Sequence, residues 1–240
     1  MTIIIPANSA AVTAFDVDNS CKFNDDDEAG FNITPGSAGT SEGATGNKFT
    51  ISWWFKRGAL GIDPYMFHSR SASSDGNFVD IAFNDADQLY LGIWSALKAK
   101  PSMKFRDVSA WYHVVVAMDT TQGTAANRCK IYVNGTEITD WAIDPAGTVS
   151  ENSTNYPFGH NGKAFAVGYR LDSTYPFDGY MAEVYFIDGT QYAASDFGEF
   201  DSDSPTIWKP KDASGLTFGT NGFYLDFKDS ANLGNDANGG

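Results

Sequence analysis

The sequence predicts an all-β chain folded as an antiparallel sandwich of two sheets, and a hairpin in the middle of the chain gives the clearest sign. Residues 111–118 are mostly aromatic and β-branched, and residues 130–133 alternate with the period of a strand. Asn134-Gly135 follows and accepts the positive φ of a tight hairpin turn. No stretch keeps apolar residues at helical spacing, so very little helix is expected.

Residues 49–57 predict a strand with one buried face. Its first alternate set is entirely apolar and should face the core: Phe49, Ile51, Trp53 and Phe55. The opposite set is Thr50, Ser52, Trp54 and Lys56, in which only Trp54 breaks the polar pattern.

Further strands are predicted on both sides of these two stretches. A four-residue turn, 84–87, joins residues 77–83 and 88–94 as a second hairpin. The remaining predicted strands are 21–23, 65–69, 164–170, 177–189 and 223–227.

Length and charge limit the class of protein. One β-sandwich can use all 240 residues as a single main domain, and 42% hydrophobic with 19% charged residues excludes a disordered or coiled-coil chain. Thirty acidic against 16 basic residues give a net charge of −14, which repels phosphate backbones. We therefore predict no nucleic-acid partner.

The two cysteines and the N-terminal residues indicate in which cellular compartment the protein is made and kept. Cys21 and Cys129 lie far apart in strand-like runs, so buried free thiols are favoured over a disulfide. The apolar run at residues 3–5 has no preceding basic region and is too short for a signal peptide or a membrane span. These features predict a protein that either stays in the cytosol where it was made or leaves the cell by assembly or lysis, without insertion into a membrane.

Two stretches resemble one known family. The pattern W-Y-H-V-V-V, a polar loop, then K-I-Y-V-N-G at residues 111–135 resembles the centre of the laminin-G, concanavalin A-like jelly roll. F-D-G-Y-M-A-E-V-Y-F-I-D-G at residues 177–189 resembles its last strand. The resemblance implies a two-sheet antiparallel jelly roll over residues 20–189. Residues 1–19 would then be an N-terminal arm, and residues 190–240 a C-terminal extension packed on the sandwich or on a neighbouring subunit.

The extension carries a second resemblance. Its segments FIDGTQY, FGEFDSDSPTIWKPK and GTNGFYLDF resemble parts of lectin-like structural proteins of tailed bacteriophages. This implies a non-enzymatic virion protein, such as a capsid decoration, a head fibre or a tail component, that contacts host-surface carbohydrate. Its expected partners are other virion proteins and further copies of itself, with the β-branched residues 2–5 reaching a neighbour's sheet edge or apolar groove.

Two other classes stay open: a soluble carbohydrate-binding lectin and, less favoured, a glycan-cleaving enzyme. The related β-glucanases place acids as E-x-D-x-E on one strand face. Here Glu183 is followed by Tyr185 at the central position, and Asp188 falls at an odd spacing. His68, His113 and His160 share no metal-ligand spacing, and His113 is expected to be a structural partner. We therefore predict no catalytic residues.

A glycan site would need exposed aromatic rings beside amides or carboxylates. The residues that meet this requirement near expected loop ends are Trp94, Trp141, Tyr156, Tyr169 and Tyr175, with Asn155, Asn161 and Asp172. The alternative for each aromatic residue is packing in the core.

No cofactor is predicted, although calcium could bind acidic residues at the rim. Candidate clusters are Asp25/Asp26/Asp27/Glu28, Asp85/Asp87, Asp172/Asp178 and Asp201/Asp203. None has a spacing as specific as a known calcium loop, and turns or solvated acids explain each of them.

Overall fold

Two seven-stranded antiparallel sheets face each other across one large core. The structure is a computed structural model and describes residues 15–27, 29–40, 42, 46–70, 78–93, 96–172 and 175–238. The first sheet, sheet I, has the strand order β1-β13-β3-β8-β9-β10, with β16 also pairing β13. The second, sheet II, has the order β11-β7-β6-β5-β4-β12-β2. These orders confirm the predicted two-sheet jelly roll.

The strand bounds are as follows. Sheet I contains β1 (Cys21–Phe23), β3 (Lys48–Arg57), β8 (Tyr112–Asp119), β9 (Cys129–Val133), β10 (Thr136–Glu137), β13 (Gly179–Asp188) and β16 (Phe223–Leu225). Sheet II contains β2 (Phe31–Ile33), β4 (Tyr65–Arg70), β5 (Phe78–Phe83), β6 (Leu89–Ile93), β7 (Ala96–Pro101), β11 (Trp141–Ile143) and β12 (Ala164–Val167). A separate hairpin pairs β14 (Gly198–Phe200) with β15 (Trp208–Pro210), and one helical turn, α1, covers Pro145–Thr148. None of the described helices is long and apolar enough to cross a membrane.

The predicted inward face of β3 is confirmed. Phe49, Ile51, Trp53 and Phe55 are all fully buried. The Trp53 ring lies edge-on to Phe67 of sheet II, with centroids 4.9 Å apart, so this face joins the two sheets. Burying each such side chain contributes about 1.5–3 kcal/mol.

The hairpin turn after β9 is also confirmed. Asn134 and Gly135 have φ of 47° and 79°, the left-handed values that this turn requires. Asn134 also fixes the neighbouring strand, because its side-chain oxygen accepts from the His113 N–H at 2.8 Å. Cys21 and Cys129 are buried free thiols, as predicted.

Part of the C-terminal extension covers the outer face of sheet I. Val115, Ala117, Tyr185 and Ile187 point away from the main core and form a second buried cluster with residues of the extension. Those residues are Ala194, Phe197, Ala213, Phe218 and Tyr224. Sheet I is thus buried on both faces over much of its area, which explains its long apolar runs.

A bulge in β13 holds β16 in place. Pairing with β3 shifts register between Ala182 and Tyr185, and Glu183 inside the bulge has a φ of 50°. The Glu183 carboxylate is buried and accepts from the hydroxyls of Tyr185 at 2.8 Å and Tyr224 at 2.6 Å. Burial raises the pKa of Glu183, while the two hydroxyls lower it. Glu183, the acid that the sequence aligns with the glucanase pattern, therefore links β13 to β16.

Candidate functional site

The predicted glycan residues do not form a single site. Trp141 lies on β11 at one edge of sheet II and packs partly against the core. Tyr169 follows β12 near the opposite edge, where its hydroxyl accepts from Asn32 at 2.6 Å. Asn155 and Asn161 are exposed in the loop before β12. Trp94 lies outside the described residues.

The prediction for Tyr156 is wrong. Its side chain is 1% exposed and belongs to the main core, and its backbone N–H donates to Asn47 Oδ1 at 3.0 Å. The neighbouring Phe158 ring lies 5.3 Å from Phe49. The polar loop at 147–162 contains two aromatic residues that fill the end of the sandwich, so core packing outweighs exposure here.

The structure does bring Tyr175 and Asp172 together, on the outer side of sheet II. Arg170 lies between aromatic rings, with its Cζ 5.6 Å from the centroid of Tyr65, 5.9 Å from Phe78 and 5.9 Å from Tyr175. Its Nε is 3.3 Å from Asp172 Oδ2. We call these five residues, Tyr65, Phe78, Arg170, Asp172 and Tyr175, the tyrosine–arginine patch.

Tyr175 is the most accessible ring of the patch. Its side chain is 49% exposed, and its φ of 54° is unusual for an aromatic residue. The backbone holds it there, because the Tyr65 N–H donates to the Tyr175 carbonyl at 2.9 Å. The Tyr65 and Tyr175 rings lie 5.7 Å apart. Strained residues persist where the surrounding structure fixes them, and they concentrate at binding sites.

A buried polar network underlies the patch. His68 and Asp80 are paired across β4 and β5, on the side of the sheet opposite the core residues Phe67 and Val79. His68 Nδ1 and Asp80 Oδ1 are 2.5 Å apart, and His68 Nε2 has no hydrogen-bond partner among the described residues.

Burial shifts the titration of this network. It raises the pKa of Asp80, and the hydrogen bond with His68 opposes that rise. Burial also raises the pKa of Tyr65 and the pKa of Tyr90. Tyr65 and Tyr90 are therefore neutral phenols at physiological pH.

Sequence reasoning missed Arg170 and Tyr65. Arg170 ends the predicted strand at 164–170, and nothing in the sequence places it next to Tyr65 or Phe78. The alternation of polar and apolar residues on β4 and β5 gives the outward direction of His68 and Asp80, but it does not say which strands are neighbours.

Each of the four candidate calcium clusters contains an acid that ion-pairs or hydrogen-bonds with other groups of the chain. Asp87 is buried and bound by Arg57 and Arg106, while the Asp201 carboxylate accepts the N–H groups of Asp203 and Ser204 within a turn. The Asp27 carboxylate accepts from the side-chain amide of Asn24, Nδ2, at 2.7 Å. In the part of the chain that the structure describes, no group of three His, Cys, Asp or Glu side chains could hold a metal ion.

The fold and its sheet orders define the class of a lectin-like jelly roll. Residues 32–194 match the family model described as the concanavalin A-like lectin/glucanases superfamily, of the laminin-G type. This match covers more than half of the chain, so the chain belongs to that superfamily. A search of curated proteins found no match.

Several solved structures are similar to this chain at low sequence identity. A heptameric SAP-like pentraxin from Limulus polyphemus is 14% identical with a TM-score of 0.41, over 68% of this chain and 76% of that one. The CBM40 of a Ruminococcus gnavus IT-sialidase is 13% identical with a TM-score of 0.45, over 70% and 94%. Domain 4 of the arabinanase AbnA from Geobacillus stearothermophilus, solved with arabinotriose, is 19% identical with a TM-score of 0.43, over 68% of each chain.

Proposed function

We propose that this chain is a non-catalytic carbohydrate-binding domain and that the tyrosine–arginine patch is its binding site. The observation that carries the proposal is the half-exposed ring of Tyr175, held at a strained φ beside Arg170 and Asp172. A pyranose ring has an apolar face of C–H groups and a rim of hydroxyls. An aromatic ring next to a charged donor and a charged acceptor matches both parts of it.

The roles within the patch follow from the side-chain chemistry. Tyr175 offers its ring face for stacking, and Tyr65 supports it from 5.7 Å away. The guanidinium of Arg170 donates in a fixed plane, and the carboxylate of Asp172 accepts from sugar hydroxyls. Because three aromatic rings and Asp172 lie close to the Arg170 guanidinium, little side-chain entropy remains to be lost on binding.

Replacing Tyr175 with Ala should weaken binding at least about ten-fold, the equivalent of roughly 1.4 kcal/mol, because the stacking surface is removed. A glycan array with the full chain would identify a ligand, and titration calorimetry would compare its Kd between proteins. Arg170→Ala should have a similar effect. Tyr180→Ala is the matched control, because Tyr180 is an exposed tyrosine, at 38%, on sheet I. Equal affinities of the Tyr175→Ala variant and the wild type would refute this site.

The absence of catalysis is part of the proposal. Glu183 is buried, and two tyrosine hydroxyls occupy its carboxylate. Incubation with β-glucans and with the glycan found on the array should release no reducing sugar above a buffer blank. Time-dependent release by the wild type would restore the enzyme hypothesis.

We also propose that the chain acts as a virion component, on the basis of the phage-like segments in residues 186–227. Several aromatic residues of the extension pack on the chain's own sandwich, so contacts with other subunits would depend more on the N-terminal arm. Light scattering after size exclusion should then give an oligomer for the full chain and a monomer for a chain starting at Asn19. Monomers near 26.0 kDa from the full chain, with no incorporation into particles, would contradict this proposal.

A further inference from the structure

A groove on sheet I collects half of the chain's tryptophans. It encloses about 320 Å³ and is lined by Trp54, Trp111 and Trp208, together with residues 17–20, Ala182, Lys209 and Pro210. We call it the tryptophan groove. It lies on the outer face of sheet I, whereas the tyrosine–arginine patch lies on the outer face of sheet II.

The groove is built largely from segments that surround the jelly roll. Its floor is Trp54 of β3 and Ala182 of β13, which are direct partners in the ladder. Residues 17–20, before β1, and residues 208–210, in β15, complete the lining. Both segments lie outside residues 32–194, the part of the chain that matches the superfamily. The groove is therefore an addition to the shared fold.

A stack of three rings fixes the tryptophans. His113 lies 4.9 Å from the Trp54 ring and 5.9 Å from the Trp208 ring, with interplanar angles of 26° and 21°. Trp208 Nε1 donates to His113 Nδ1 at 2.9 Å, and an indole nitrogen can only donate. His113 must then be neutral and carry its proton on Nε2, which donates to Ser52 Oγ at 2.8 Å.

The backbone leaves room for the Trp208 ring. A Cβ on Gly135 would lie 2.3 Å from this ring, and one on Gly198 would lie 2.4 Å from it. Any other residue type at either position would place its Cβ too close to the Trp208 ring. Because the indole N–H already has a partner, Trp208 presents carbon surface to the groove in one fixed orientation. Trp111, 39% exposed, adds a third aromatic surface that a ligand can reach.

The polar part of the lining narrows the ligand class. Asp18, Asn19, Ser20 and Lys209 stand beside the three indoles. Lys209 is held by Glu199 at 3.3 Å and Asp201 at 3.6 Å, so its charge is largely compensated. An anionic ligand would meet Asp18 on a protein of net charge −14. An apolar peptide segment would bury these polar side chains and remove their hydrogen bonds to water without offering new partners.

We infer that the tryptophan groove is a second binding site, for a neutral saccharide that lays its C–H faces on Trp54, Trp111 and Trp208 while its hydroxyls meet the polar rim. Rigid aromatic planes and a mixed polar lining suit such a ligand better than an anion or an apolar chain. The site does not share residues with the tyrosine–arginine patch, so each can fail independently.

The test uses the full chain in a Tyr175→Ala background, which removes the stacking ring of the patch. Short neutral gluco-, galacto-, manno- and xylo-oligosaccharides are titrated by calorimetry and by quenching of tryptophan fluorescence. We expect one of them to bind, and a further Trp111→Ala substitution to weaken it at least ten-fold. Ile207→Ala is the local control, because Ile207 is 56% exposed next to Trp208 but does not line the groove, and affinity should not change.

Three results would overturn the inference. In the first, none of these saccharides binds the Tyr175→Ala protein. In the second, Trp111→Ala leaves the affinity unchanged while the thermal unfolding midpoint shows a folded protein. In the third, light scattering shows a wild-type dimer that Trp111→Ala converts to a monomer, which would make the groove a contact between copies. Binding by the wild type that is lost with Tyr175→Ala alone would support the patch and reject the groove.

Discussion

Asp87→Asn is expected to lower the free energy of unfolding by about 3–5 kcal/mol, because it leaves a buried arginine without its counter-charge. The Arg57 side chain is 1% exposed, and its Nη1 lies 2.9 Å from Asp87 Oδ1. Nη1 also donates to the Phe105 carbonyl, while Nε and Nη2 have no partner among the described residues. Asp87 is therefore the main compensation for this charge.

The Asp87→Asn substitution removes the negative charge of residue 87 but keeps its shape and its other contacts. Residue 87 has a φ of 63°, which asparagine tolerates well, and its side-chain oxygen can still accept from the Gly61 N–H. Equilibrium urea unfolding would measure the loss. Asp85→Asn is the control, because Asp85 is exposed in the same turn and its substitution should stay within about 0.5 kcal/mol. Equal losses in the two variants would show that Arg57 does not depend on Asp87.

The same contact predicts a direction for acid unfolding. Burial alone would raise the pKa of Asp87, but hydrogen bonds from Gly61, Arg106 and Arg57 outweigh it and lower the pKa. A carboxylate with a lowered folded pKa stabilises the protein above the unfolded value near 3.8, and that stability is lost as pH falls through the folded pKa. The wild type and Asp87→Asn should therefore converge in stability at strongly acidic pH.

Local sequence signals predicted those parts of the fold that local physics determines. The alternation of Phe49 to Phe55 fixes which face is buried, and Asn134-Gly135 fixes a turn, because both depend on neighbouring residues only. No strand was predicted at β2, β7, β10, β11, β14 or β15. Residues 96–101 and 208–210 contain lysine and proline and few β-branched residues, and they form strands by pairing with β6, β11 and β14.

The candidate sites were predicted less completely than the fold. Tyr175 and Asp172 are residue types that are typical of sugar-binding sites, so the sequence could suggest them. Their neighbour Arg170 is held by the rings of Tyr65 and Phe78, which are distant in the sequence. Tyr156 is also an aromatic residue in a polar loop, yet it is buried, because its burial depends on how the loop folds over the core. Trp54 did give a signal, as the one apolar residue on a polar face. Its partner Trp208 could be found only from the three-dimensional structure.

His113 should make the protein lose stability as pH falls from 7 to 5. Burial lowers its pKa to about 3, against a usual value of 6.5. Between these values the unfolded chain binds a proton that the folded protein excludes, so stability falls with falling pH. The slope approaches about 1.4 kcal/mol per pH unit, and the loss from pH 7 to pH 5 is about 2 kcal/mol.

Comparison with His113→Phe separates this effect from other titrating groups. Phenylalanine keeps a ring between Trp54 and Trp208 but binds no proton, and it removes the partners of Trp208 Nε1 and Ser52 Oγ. At pH 7 the variant should be less stable by about 1–3 kcal/mol for each polar group left unsatisfied. Burial also lowers the pKa of His160, but that contribution is present in both proteins and cancels.

The difference in unfolding free energy between the wild type and His113→Phe should therefore narrow by about 2 kcal/mol from pH 7 to pH 5. Only the wild type has a side chain at position 113 that binds a proton when the chain unfolds. Urea unfolding at half-unit pH steps would measure the gap, and imidazole NMR signals of the folded wild type would show His113 uncharged throughout. A gap that stays constant over this range would mean that His113 takes up its proton in the folded protein as readily as in the unfolded chain. In that case Nδ1 could not accept the Trp208 proton, and the rigid ring stack behind the tryptophan groove would have to be abandoned.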